Sequence, residues 1–210
     1  MKAPLPKEVT LVAVSKTKSV AELMQAYDAG QRVFGENKIQ EMAAKWEEMP
    51  KDVEWHMIGH VQRNKVKYMA PFVSLIHAVD SFRLLNEINK QALKCDRVID
   101  CLLQIKIADE ESKFGMSEVE ATALLNSEEI KTLQNVKITG LMGMATFTEN
   151  VDQLQEEFGY LSGVYEKLNT QYPDLQILSM GMSGDYALAI EHGSNMVRVG
   201  SAIFGARNYG

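Results

Sequence analysis

Eight short apolar runs alternate with seven amphipathic stretches, and this alternation constrains the 210-residue chain more than any other feature. The runs cover residues 9–15, 32–37, 53–59, 73–79, 98–107, 136–145, 177–182 and 196–204. The stretches between them, at 20–29, 39–49, 64–69, 82–94, 117–125, 151–170 and 185–192, carry helical spacing. Ser19 is placed to cap the first helix and Gly30 to stop it, and Ser117 and Glu120 have capping-box spacing. Near-continuous apolar strands that alternate with helices predict a parallel sheet covered by helices. Eight repeats favour a closed (β/α)8 barrel over an open doubly wound sheet. The first strand has no GxGxxG turn after it, which disfavours a dinucleotide fold. No linker or shift in composition divides the chain, so residues 1–210 are read as one barrel domain. No helix is expected before the first strand, and an eighth helix is missing after the last.

Bulk properties exclude several functions. Hydrophobic residues make up 46% and charged residues 24%, as in soluble globular proteins. A net charge of −6 without a basic block argues against nucleic acid as a partner. No apolar run is long enough to span a membrane, and the N-terminus lacks the apolar core of a signal peptide. Cys95 and Cys101 have no metal-binding spacing and are read as reduced thiols of a cytoplasmic protein.

In such barrels, chemistry gathers at the carboxyl ends of the strands. Those ends carry Lys16, Glu36 with Asn37, His56 and His60, His77 and Asp80, Lys106 and Lys113, Met144 and Thr146, residues 179–184, and residues 198–201. The run Ser179-Met180-Gly181-Met182-Ser183-Gly184-Asp185 leads from a strand into a helix. Its exposed backbone N–H groups and hydroxyls suit a phosphate, or they form a tight turn. Gly200-Ser201-Ala202 makes a second small-residue turn at the neighbouring strand end. Arg198 interrupts an apolar strand and needs an acceptor, either a core carboxylate or a ligand. Lys16 ends the first strand, beside the eighth if the barrel closes. There its amine can capture the aldehyde of a phosphorylated compound as a Schiff base.

Six motifs then occur in order: AVSKTK at 13–18, FGEN at 34–37, HMIGHVQRNK at 56–65, GLMGM at 140–144, SMGMS at 179–183 and RVGSAIFG at 198–205. From about residue 9 onward the chain resembles the pyridoxal phosphate homeostasis proteins, the YggS-type family. That resemblance implies a barrel like the N-terminal domain of alanine racemase; the chain is read as lacking the second β domain and, unlike many relatives, the helix before the first strand. It implies that Lys16 binds pyridoxal 5′-phosphate as a Schiff base, and that Ser183, Gly200 and Ser201 hold the phosphate with the backbone near Met182 and Gly184. Arg198 then faces the pyridine nitrogen, and Asn37 and His60 line the pocket. No metal is implied.

The function expected is storage and handover of the cofactor inside the cell with little or no turnover, with apo-enzymes as recipients and a monomer or weak homodimer as the assembly. The alternatives are a racemase or Schiff-base lyase, in which Glu36 or His60 serves as acid and base, and a barrel binding some other phosphate. Lys18 and Lys113 are secondary lysines near the mouth, either solvated or transient acceptors of the cofactor. His77 is expected to pack on a strand and His192 to lie at a helix end.

Overall fold

A computed structural model describes residues 5–108 and 114–205. Eight parallel strands close into a barrel in chain order. They are β1 (Thr10–Val14), β2 (Val33–Glu36), β3 (Glu54–Met57), β4 (Leu75–Val79), β5 (Ile99–Ile105), β6 (Val136–Gly143), β7 (Ile177–Met182) and β8 (Met196–Val199). The helices are α1 (Val20–Asp28), α2 (Ile39–Glu48), α3 (Phe82–Lys94), α4 (Glu118–Asn126), α5 (Glu128–Lys131), α6 (Val151–Gln171), α7 (Tyr186–Glu191) and α8 (Ser201–Phe204). A 3-10 segment at Arg63–Tyr68 connects β3 to β4, where the sequence reads as a helix.

Closure comes from the β1–β8 ladder, in which Thr10, Leu11, Val12 and Ala13 lie opposite Met196, Val197, Arg198 and Val199. Side chains alternate across each strand, so every second residue enters the barrel. Val12, Leu75, Leu102, Met142 and Met196 fill the interior. Phe34, Trp55, Leu85, Ile88, Phe158 and Leu161 pack between strands and helices. The capping boxes at Ser19–Glu22 and Ser117–Glu120 both form.

The eighth run departs from its reading as a strand over 196–204. The ladder ends at Val199, and Ser201–Phe204 turns into α8. Four-residue apolar runs do not distinguish strand from helix by periodicity, and the break falls at Gly200. The eighth helix read as missing is therefore this single turn. Also unread in the sequence is α5, whose first residue follows Ser127; the Ser127 hydroxyl accepts the N–H of Ile130. No described helix is long and apolar enough to cross a membrane.

The strands approach closely at Gly140, where a Cβ would sit 1.9 Å from the carbonyl oxygen of Ile177. Relief requires β6 and β7 to separate. Gly140→Ala is therefore expected to cost about 3 kcal/mol or more, read as a fall in the urea midpoint; an unchanged midpoint would contradict this packing.

Candidate functional site

The carboxyl ends of the strands surround a cavity of about 1030 Å³, at the upper end of the range of about 300–1,000 Å³ that holds a drug-sized ligand. All nine site residues named from the sequence line it. Lys16 follows β1, Asn37 follows β2 and His60 follows β3. Met182, Ser183 and Gly184 form the turn from β7 into α7, while Arg198 rises from β8 and Gly200 and Ser201 lead into α8. Lys18 lines the cavity as well. Lys113 lies outside the described residues.

The two turns after β7 and β8 are tied together. The N–H of Gly200 donates to the Ser183 hydroxyl at 3.1 Å. Asp185 holds the first turn from below, accepting the N–H of Met182 at 2.5 Å. Gly181 has φ +94, and a Cβ there would lie 2.6 Å from Ala189 Cβ, so α7 sits close against its strand. A Cβ at Gly184 would meet nothing within 4 Å. The result is a small-residue rim of hydroxyls and backbone on one side of the cavity, with the Lys16 strand end next to it.

Arg198 is 3% exposed and lies on the barrel floor. Its guanidinium donates to the Ser179 hydroxyl at 2.6 Å and to the Gly143 carbonyl at 2.8 Å. Both acceptors are neutral, and the Asp185 carboxylate adds an attraction that opposes the desolvation of the guanidinium. Burial lowers its pKa to about 10, which leaves it charged at neutral pH. Ser179 also meets His77 Nδ1 at 3.1 Å, and His77 Nε2 meets His56 Nδ1 at 3.1 Å. One chain of hydrogen bonds thus runs from Arg198 through Ser179 and His77 to His56. Both histidines are fully desolvated, which holds His56 at a pKa of about 3 and His77 well below its ordinary value. His77 does lie on a strand, as expected, and His56 joins it inside the barrel rather than at the cavity wall. His192 caps the end of α7, and its Nδ1 lies 2.9 Å from the Leu188 carbonyl.

Glu36 is a correction. Gly35 faces the interior, against Val12 and Ile58, so Glu36 faces outward. It is fully buried behind α2, where Lys45 and the Ser15 hydroxyl each reach Oε1 at 2.6 Å. Desolvation raises its pKa, with the Lys45 and Ser15 hydrogen bonds opposing. It does not line the cavity and is no acid or base for a ligand there. Strand alternation carries this information, since Glu36 shares its face with the core residue Phe34.

The outer cavity wall is less legible in the sequence, apart from Met144 and Thr146, which are named there. Gln104, Phe114, Met144, Thr146, Phe147 and Leu154 line it. Gln104 holds the Phe114 carbonyl at 2.9 Å, and Phe114 stacks on His60 with ring centroids 4.0 Å apart. Buried Glu157 accepts from both the N–H and the hydroxyl of Thr146 at 2.6 Å, fixing the turn after β6. Lys106 is exposed and stays off the wall.

The model of the alanine racemase N-terminal domain matches residues 1–208. The pyridoxal phosphate homeostasis protein of Vibrio alginolyticus is 39% identical over 97% of this chain and 89% of its own length. The chain belongs to the pyridoxal phosphate homeostasis protein family. The Escherichia coli K12 member is also 39% identical, over 97% and 88% of the two chains. Among solved structures of the family, PipY of Synechococcus elongatus with pyridoxal phosphate bound superposes with a TM-score of 0.87. It is 35% identical and the match covers 97% and 96% of the two chains. An alanine racemase of Clostridium difficile shares the fold, with a TM-score of 0.77 at 12% identity, and the match covers 54% of that longer chain.

The buried imidazoles make stability depend on pH. Both are neutral when folded, and the unfolded chain takes up protons below about pH 6.5. Their contribution is complete above that pH and is lost as pH falls toward 3. Comparing urea unfolding of the wild type with His56→Gln between pH 7 and 4.5 checks this. The wild type should lose stability more steeply, by up to about 1.4 kcal/mol per pH unit.

Proposed function

We propose that this chain binds pyridoxal 5′-phosphate in the barrel-end cavity and holds it for use by other enzymes. The observation that carries the reading is that a lysine and two small-residue turns share one cavity, above a buried arginine. The relative from Synechococcus elongatus, whose structure contains pyridoxal phosphate, supports it. Each part of the cofactor meets suitable chemistry. The phosphate is assigned to the hydroxyls of Ser183 and Ser201 and the backbone around Met182, Gly184 and Gly200. The aldehyde is assigned to the Lys16 amine, and Asn37 and His60 form the wall beside the ring. When bound, pyridoxal phosphate supplies an aldehyde that condenses with amines and a ring that withdraws electrons.

Arg198 is assigned to the ring nitrogen. A guanidinium donates a hydrogen bond but does not give up its proton, even with its pKa lowered to about 10. The nitrogen then stays unprotonated, which weakens the ring as an electron sink and favours holding over turnover. With Glu36 turned away behind α2, His60 is the remaining acid or base of the lyase reading. Cys95 and Cys101 are both unpaired, in keeping with a reducing cytoplasmic setting. Apo-enzymes that use the cofactor are the recipients proposed.

Borohydride reduction after incubation with pyridoxal phosphate, followed by peptide mapping, tests the reading. The adduct should appear on Lys16; an adduct scattered over surface lysines would overturn it. Ser183→Ala and Ser201→Ala should each weaken cofactor binding about tenfold, the equivalent of about 1.4 kcal/mol for a lost hydrogen bond to a charged group. Their affinity for unphosphorylated pyridoxal should barely change.

A further inference from the structure

We propose that the ion pair between Lys45 and Glu41 is a positioning device that clamps both peptide planes of Lys16. The proposal rests on the reading that Lys16 receives the cofactor, and it concerns residues of α2 that do not line the cavity.

The two planes flanking the Lys16 Cα are held from the same side. The Ser15 carbonyl belongs to the first, and it accepts from the Lys45 ammonium at 2.8 Å. The Thr17 N–H belongs to the second, and it donates to Glu41 Oε1 at 2.6 Å. That same Oε1 accepts from Lys45 at 2.8 Å, so the two clamps are one unit. Lys45 is 6% exposed, and its third bond, to Glu36 at 2.6 Å, anchors the unit to β2. The Ser15 hydroxyl reaches the same Glu36 oxygen at 2.6 Å, and the Ser15 N–H reaches the Gly35 carbonyl at 3.0 Å.

Backbone strain lies beside the clamp. Thr17 has φ +64, a left-handed conformation that a β-branched residue rarely adopts. The Glu41 bond to its N–H keeps the turn in that conformation. On the far side, Lys18 spans to the Phe204 carbonyl at 2.8 Å and so joins this turn to α8. With both planes fixed, Lys16 has little freedom to change the direction of its Cα–Cβ bond, so the root of its side chain stays at the cavity it lines. A buried ion pair is a poor way to gain stability, because desolvating two charges offsets most of their attraction. Its position on the two planes of one lysine gives it a different use.

Three measurements on Lys45→Met and Glu41→Ala test the clamp. The first is the rate at which Lys16 captures the aldehyde of pyridoxal phosphate, trapped by borohydride; the amine nitrogen bonds to the aldehyde carbon and the aldehyde oxygen leaves as water. The second is affinity for pyridoxine 5′-phosphate, which has an alcohol in place of the aldehyde. The third is amide hydrogen exchange at Thr17 without ligand. Capture should slow by about tenfold or more while affinity for the alcohol stays within about twofold. Thr17 exchange should accelerate in both variants, and Lys45→Arg should recover part of the capture rate. Val164→Ala, a core change far from the clamp, should leave the capture rate alone.

Glu41 is about a quarter exposed, so Glu41→Ala keeps the test open if Lys45→Met does not fold. Capture at the wild-type rate, unchanged exchange at Thr17, or equal loss of capture and alcohol binding would each overturn the proposal. If the wild type itself captures nothing on Lys16, the cofactor reading fails instead. The exchange result then still decides whether the clamp exists.

Discussion

Thr10 to Ala13 lie against Met196 to Val199, and this ladder is the contact on which the site depends. Parallel strands cannot be joined by a tight turn, so each pair needs a crossover, and seven crossovers bring the last strand back to the first. Only that return puts the end of β1 beside the end of β8. Lys16 and Ser201 are 185 positions apart in the chain, yet they line one cavity because the sheet closes. An open sheet would leave them on opposite edges.

Closure also creates an electrostatic problem, which the fold solves twice in different ways. Inside the barrel, the Arg198 charge meets neutral partners, the Ser179 hydroxyl and the Gly143 carbonyl. Two neutral imidazoles continue the chain of hydrogen bonds. The Asp185 carboxylate, which also lines the cavity, attracts the guanidinium and opposes its desolvation. Outside the barrel, Lys45 is matched directly by Glu36 and Glu41. That cluster holds the Ser15 carbonyl and the Thr17 N–H on either side of Lys16. One buried cation underlies the cavity floor, and the other fixes the turn above it.

Much of this was legible in the residues. The alternation of runs gave the barrel, because buried parallel strands read as apolar without interruption. Strand ends point to the cavity wall, which all nine named residues line. Failures fell where a local pattern has two solutions. Ala202-Ile203-Phe204 reads equally as strand or helix, and the structure makes it a turn of helix. Glu36 reads with Asn37 as a strand-end pair, although alternation sends the two to opposite sides. Lys45 reads as an ordinary solvated lysine on an amphipathic helix, and its burial follows from how α2 docks on β1 and β2. The chain from His56 through His77 and Ser179 to Arg198 depends on four strands meeting at one depth in the barrel, which no single stretch of sequence encodes.

The central claim is that the cavity binds pyridoxal 5′-phosphate between Lys16 and the turns after β7 and β8. A crystal structure of the protein soaked with the cofactor tests it most directly. The account predicts density continuous from the Lys16 amine into the ligand, with the phosphate between Ser183 and Ser201 and the ring nitrogen toward Arg198. Density that leaves Lys16 separate from the ligand, or a phosphate bound away from those two turns, would contradict it.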